Sequence, residues 1–202
     1  MLFATKASII SSYNKQGMDL MDEQRLIAGC KRGEQWARRD VYEKYAPAMF
    51  SLCVRYVGDT EAAKDVLQDG FVKIFTKADQ FAEKGNFGGW IRSVFINTSL
   101  EFLRRRNYLK EDIKVDDLEN EQESISNLPE NISADDLMEC IAELPEKYRT
   151  VFNLYAIEGY SHNEIAMMTG IQESSSRSQF LRARQLLQKK VLELMKKEYA
   201  GK

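Results

Sequence analysis

The stretch Glu158-Gly-Tyr-Ser161-His-Asn-Glu164-Ile-Ala-Met-Met-Thr-Gly170-Ile-Gln-Glu-Ser-Ser-Ser-Arg177-Ser-Gln-Phe180-Leu-Arg182-Ala-Arg184-Gln-Leu-Leu187-Gln-Lys-Lys-Val191 decides how the chain is read. Ser161 and Glu164 have capping-box spacing: the hydroxyl accepts from the third helical amide, and the glutamate reaches back to the cap. A short helix is therefore predicted from Ser161, with Ile165, Ala166 and Met168 as its apolar side. Gly170 can take the positive φ that ends a helix, so the chain turns there. A second helix follows, with Phe180, Ala183, Leu187, Val191 and Leu194 at spacings of three and four. Its other faces carry Arg177, Arg182, Arg184, Lys189 and Lys190. A short helix, a glycine turn and a longer basic helix describe a helix-turn-helix, whose second helix lies in the DNA major groove with its N-terminal residues at base edges. Small Ala166 lets the two helices cross closely. The same pattern also fits an αα-hairpin with a solvated basic face.

Working outward, the 202 residues allow one large domain or two small ones. Proline is scarce, at three residues, and the apolar periods are helical, so the fold class is all-α. The net charge of −2 does not announce a nucleic-acid binder, but the distribution does. From Gln172 to Lys197 there are seven basic residues against Glu173 and Glu193. A local stripe outweighs the total, because screening confines charge effects to about 8–10 Å. Cys30, Cys53 and Cys140 lack metal-site spacing and read as reduced, buried thiols of a cytoplasmic protein. The single histidine, His162, excludes a histidine metal cluster and reads as a surface residue. No cofactor or metal is expected. There is no transmembrane run, hence no direct membrane insertion. Residues 1–17 read as a disordered leader too weak for a signal peptide, with Met18 or Met21 a candidate start of the folded part.

A first helix is predicted over Asp22 to Lys31, with Leu26, Ile27 and Cys30 inward. A longer one spans Glu34 to Val57, with Val41, Tyr42, Tyr45, Met49, Leu52 and Tyr56 as one stripe and Pro47 kinking or splitting it. A third runs from about Thr60 to Lys77, burying Ala63, Leu67, Phe71, Ile74 and Phe75. Its other side carries Asp65, Gln68, Asp69 and Val72, which is either a solvated face or a partner surface. Lys84 to Gly89 reads as a glycine loop. Trp90 to Arg106 is helical again and ends in Arg104-Arg105-Arg106. Basic groups among Phe87, Trp90 and Phe95 suit a groove that tracks a nucleic-acid backbone and stacks unpaired bases. Equally, the aromatics are core and the arginines favour the helix C-terminus.

From Glu111 to Glu130 there are eight acids against Lys114, which marks a flexible, self-repelling linker. The predicted organisation is leader 1–17, a helical domain over 18–110, an acidic linker over 111–132 and a second helical domain over 133–202. The second opens with Ala134 to Leu144, inward at Leu137, Ile141 and Leu144. Pro145 then starts a helix through Ile157, with Val151, Phe152 and Tyr155 inward.

In this order the motifs resemble those of extracytoplasmic-function (ECF, group 4) sigma factors of bacterial RNA polymerase, in the sigma-70 family. Asp65-Val-Leu-Gln68-Asp69-Gly-Phe71-Val-Lys-Ile-Phe75 resembles the region-2 helix that binds core polymerase. Phe87-Gly-Gly-Trp90-Ile-Arg-Ser-Val-Phe-Ile-Asn97 with Leu103-Arg104-Arg105 resembles the segment that melts and reads the −10 element. Leu144-Pro145-Glu-Lys-Tyr-Arg149-Thr-Val-Phe152 and Glu158-Gly-Tyr160-Ser-His-Asn-Glu164-Ile-Ala resemble region 4, which reads the −35 element.

The resemblance implies that Asp65, Gln68, Asp69 and Val72 contact core polymerase, whose clamp helices and flap are the expected partner surfaces. Trp90, Arg92, Asn97, Arg104, Arg105 and Arg106 would serve the −10 element, with Asn97 near a flipped base and the arginines on phosphates. Ser174, Ser175, Arg177, Ser178, Arg182 and Arg184 would face the −35 duplex. Promoter DNA and an anti-sigma factor complete the implied partners. The chain departs from the family pattern at Gly70, where a small branched residue is usual, and at Gln172, which replaces a Ser or Thr cap and leaves Ser174 or Ser175 to cap. Ser176 stands for a usual valine and Gln179 for a usual basic residue. The competing function is a stand-alone helix-turn-helix regulator with an N-terminal sensor or dimerisation domain. An enzyme is not supported, since no nucleophile–base pair, metal cluster or phosphate-cradling glycine loop is present.

Overall fold

The computed structural model describes residues 20–82, 85–106 and 132–200. The leader 1–17 and almost all of the acidic linker lie outside the described residues. All regular structure among the described residues is helical. The chain divides into two compact units, with the boundary in the last turn of the helix Phe87–Arg105.

The first unit contains α1 (Leu20–Lys31), α2 (Gln35–Val57), α3 (Thr60–Thr76), a 3-10 turn (Ala78–Gln80) and α4 (Phe87–Arg105). Leu26, Ile27 and Cys30 of α1 are buried, as their spacing requires. In α2 the buried stripe is Ala37, Val41, Met49, Leu52, Cys53, Tyr56 and Val57. Tyr42, expected within it, is half-exposed and tilts against Phe71 at 4.7 Å. Pro47 does not split the helix. A proline in a helix interior costs about 3 kcal/mol, while each fully buried large side chain contributes about 1.5–3 kcal/mol, so the stripe on both sides outweighs the break. Pro47 is also exposed, so the Glu43 carbonyl it leaves without an amide faces solvent on the same side.

Asp59 caps α3 by accepting from the Ala62 amide at 2.7 Å. Ala63, Val66, Leu67, Gly70, Phe71 and Ile74 are buried. Gly70 is required by its neighbour: a Cβ there would lie 2.2 Å from Cε1 of Phe95. Phe95 in turn stands edge-on to Phe71 at 5.2 Å. The residue types permit a loop through Gly89, but α4 already starts at Phe87. Asn86 explains this, because its side-chain oxygen accepts from the Gly89 amide at 3.0 Å and caps the helix, while buried Phe87 anchors the first turn.

The second unit contains α5 (Ala134–Ala142), α6 (Glu146–Phe152) continued by one π turn (Asn153–Ile157), α7 (His162–Thr169) and α8 (Glu173–Ala200). Its core joins Cys140, Ile141, Leu144, Tyr148, Phe152, Ala183, Leu187 and Val191. Arg149 is buried in it and donates to the carbonyls of Ala142 and Leu144 at 2.6 and 3.0 Å, closing the end of α5. Burial lowers the pKa of this guanidinium, against the attraction of Glu146. Lys190 on α8 donates to Glu143 at 2.6 Å. Tyr155, predicted inward, is half-exposed and lies in the π turn, where the helical phase departs from the α-helical spacing behind that expectation.

Candidate nucleic-acid interface

Helix α7 opens with the capping box read from the sequence. The Glu164 amide donates to Ser161 Oγ at 3.2 Å, and the Ser161 amide donates to Glu164 Oε2 at 2.7 Å. Ile165 is buried, and Gly170 ends the helix at φ 77°. Helix α8 begins at Glu173, and the Gln172 carbonyl accepts from the Ser176 amide at 3.0 Å. Gln172 therefore occupies the cap position. Neither Ser174 nor Ser175 caps the helix, since both already lie in its first turn; this corrects the expectation for those two serines.

At about 100° per residue, the buried residues Ser176, Ala183, Leu187 and Val191 share the inner side of α8. Ser174, Ser178 and Leu181 share the opposite side, flanked by Arg177 and Arg182. Arg177 is ion-paired with Glu173 one turn earlier. Arg182 reaches towards the Tyr148 hydroxyl at 3.5 Å, and the Ser178 hydroxyl donates to the Ser175 carbonyl at 3.0 Å. Arg184 lies over the Phe180 ring at 6.0 Å and, like Ser175, sits half-buried on a flank. The structure thus gathers Ser174, Arg177, Ser178 and Arg182 on one exposed face and leaves Ser175 and Arg184 at its margins. Leu181, 48 % exposed in the middle of that face, was not singled out by periodicity, because its helical phase is that of the polar residues.

His162 is not the surface residue its sequence position implies. Its ring is half-buried and stacks on Tyr155 at 4.2 Å and 11°. Its Nδ1 lies 2.9 Å from Oγ of Ser176, which is fully buried. Burial, then the Arg177 charge, lower its pKa, with Glu173 opposing. Tyr155, in the π turn, supports the imidazole, and its own ring packs against Phe180 at 4.5 Å.

In the first unit, Asp65, Gln68, Asp69 and Val72 are all exposed on the side of α3 away from the core, Val72 by 60 %. On α4, Trp90, Asn97 and Arg104 recur every seventh residue and so share one face. Asn97 and Arg104 to Arg106 are exposed, and Trp90 is half-buried, stacked on Phe87 at 5.7 Å. Arg92 is half-buried and points away from that face by its helical phase. Phe87 and Phe95 are core residues and offer no surface to a base. Lys73 on α3 and Glu101 on α4 pair at 2.7 Å and hold the two helices together.

No group of three or more metal-ligating side chains occurs among the described residues. No described helix is long and apolar enough to cross a membrane.

A helix-turn-helix with an exposed basic face on its second helix, in a chain whose other unit carries an exposed acid–amide face and an arginine-ended helix, has the form of a modular nucleic-acid-binding protein. The family comparisons make this specific. Sigma-70 region 2 matches residues 41–108, and Sigma-70, region 4 matches residues 134–187. The chain is 26 % identical to the ECF RNA polymerase sigma factor SigW of Bacillus subtilis, over 88 % of this chain and 100 % of that one. It is 27 % identical to the ECF RNA polymerase sigma-E factor of Haemophilus influenzae, over 87 % and 98 %. It is 29 % identical to the RNA polymerase sigma-H factor of Pseudomonas aeruginosa, over 86 % and 96 %. Among solved structures, it is similar to the sigma factor RpoE in complex with the anti-sigma factor NepR from Bartonella quintana, at 22 % identity and a TM-score of 0.47, over 77 % of this chain and 98 % of that one. The chain belongs to the sigma-70 family and is an RNA polymerase sigma factor of the ECF type.

Proposed function

We propose that this chain confers promoter choice on core RNA polymerase through three separate surfaces, as a non-catalytic subunit working in the cytoplasm. Residues 18–110 act as the part that binds core and reads the −10 element, and residues 133–202 as the part that reads the −35 element. The acidic stretch 111–132 connects them. Asp65, Gln68, Asp69 and Val72 dock on the clamp helices, where two carboxylates attract basic partners and Val72 supplies apolar contact. Trp90, Asn97 and Arg104 on one face of α4 meet the opened −10 strand, with Arg92, Arg105 and Arg106 contributing positive charge for the phosphates. Ser174, Arg177, Ser178 and Arg182 meet the −35 duplex, with the arginines suited to guanine edges or phosphates and Ser175 and Arg184 beside them. The polymerase flap and an anti-sigma factor are further partners consistent with family membership.

The observation that carries this reading is the segregation of α8: every residue assigned to DNA lies off its inner side, which packs into the core. A stand-alone regulator would need the same helix but gives no reason for the match of residues 41–108 to Sigma-70 region 2.

The test is binding to core RNA polymerase followed by run-off transcription from a library randomised at both promoter elements. Core binding with selection at both elements is the expected result. Duplex binding without core, and no selection at −10, would replace it with a stand-alone regulator.

A further inference from the structure

Ser176 is a fully buried hydroxyl on the inner side of α8, at the position where the family resemblance places valine. A buried hydroxyl needs a partner. Here the partner is Nδ1 of His162, at 2.9 Å. His162 is the first residue of α7, so this bond ties the first helix of the helix-turn-helix to the recognition helix. The imidazole is itself held, stacked on Tyr155 at 4.2 Å and tilted against Phe180 at 6.0 Å. One turn earlier on α8, the Glu173 carboxylate pairs with Arg177. The first residue of α7 therefore holds α8 within its first turn, and Arg177 follows directly on the held position.

We propose that His162 is a positioning residue for promoter reading: its hydrogen bond to Ser176 sets the rotation of α8 about its own axis, and so the direction in which Arg177 and Ser178 leave the helix. An apolar contact at position 176 tolerates rotation, because dispersion has little direction, whereas a hydrogen bond weakens steeply as it bends. With neutral Nδ1 accepting, the Ser176 hydroxyl donates; with a proton on Nδ1 the roles reverse and the tie persists. The inference rests on the reading of α8 as the −35 helix.

Valine and threonine have nearly the same shape, so Ser176→Val and Ser176→Thr differ chiefly in the hydroxyl. The chain has one histidine, so imidazole ¹⁵N resonances of the full-length protein report on His162 alone. The functional readout is the ratio of holoenzyme run-off transcription from a promoter with an intact −35 element to one with that element scrambled. Ser176→Val is expected to shift the Nδ1 resonance and lower the ratio by roughly three- to tenfold, while Ser176→Thr stays within about twofold of the original. His162→Asn, which offers an amide near the Nδ1 position, is expected to keep more of the ratio than His162→Phe, which preserves only the stack. Equal losses in the valine and threonine variants, or an unmoved Nδ1 resonance in Ser176→Val, would overturn the proposal. A ratio of one in the original protein would remove α8 from the −35 element and the proposal with it. In that case the resonance shift alone would show that the tie exists without serving promoter reading.

Discussion

Gly70 shows how one residue is set by its neighbour. Alanine improves helix propensity over glycine by about 1 kcal/mol in a helix interior. Here the added methyl would meet Phe95 at 2.2 Å, and Phe95 is fully buried against Phe71. Overpacking of that kind costs about 1–3 kcal/mol, and at 2.2 Å the upper end applies, so Gly70→Ala is expected to lower the stability of the first unit by up to about 2 kcal/mol in denaturant titration. Added stability would mean the ring yields easily. His162 gives a second expectation. Its folded pKa lies below the ordinary value of 6.5. The unfolded chain then takes up this proton first as pH falls. The His162 contribution is complete above about pH 6.5 and is lost as pH drops through the lower folded value. Thermal melts of the original protein and of His162→Gln should therefore converge or cross as pH falls below the ordinary value of about 6.5, with the original falling faster. Parallel curves would contradict the lowered pKa. Neither residue was fully legible in the sequence. The departure at Gly70 was visible, but the ring that fills its place is 25 positions away. His162 lies outside every apolar period, and only the hydroxyl at 176, itself a departure, hinted that a polar partner was required.

Among the elements, helices with an unbroken period and a cap were the most legible. The capping box of α7, the glycine stop and the inner stripe of α8 are all where spacing puts them. The misjudged elements are those in which tertiary packing overrules residue propensity. Pro47 predicted a kink or a split, and the helix is not split, because the buried residues on both sides carry α2 through it. Gly88 and Gly89 predicted a loop, and an asparagine cap with a buried phenylalanine turns them into the first turn of α4. The outer face of α3 was ambiguous for a different reason. An exposed acidic helix face is ordinary, and only the family resemblance separated Asp65 and Asp69 from solvated carboxylates. Because both side chains are exposed and outside the core, Asp65→Ala with Asp69→Ala should leave helix content unchanged and unfolding free energy within about 0.5 kcal/mol of the original. Affinity for core polymerase in a competition assay should fall at least several-fold. Unchanged affinity would detach this face from the polymerase.

At the scale of the whole molecule, the three cysteines sample both units. Cys30 and Cys53 are buried in the first, and Cys140 in the second. Burial pushes the Cys30 thiol up to about 11 and the Cys53 thiol up to about 12, so neither reacts at neutral pH while folded. Two separate cores imply two opening equilibria. Single-cysteine variants retaining Cys53 or Cys140 should be alkylated at different rates with different denaturant dependences. One common rate would show that the units unfold together. The charge pattern was legible at this scale before any fold was known, since the basic residues crowd the last thirty positions while the acids crowd 111–130. The pairing of Ser176 with His162 also bears on engineering. Ser178 and Leu181 point away from the buried stripe of α8 and can be recoded together, whereas Arg177 pairs with Glu173 and Arg182 reaches the hydroxyl of the buried Tyr148 at 3.5 Å. A recognition helix transplanted whole from a relative with valine at position 176 would strand the imidazole. Orthogonal variants of this protein should exchange positions 162 and 176 together, as one unit of inheritance.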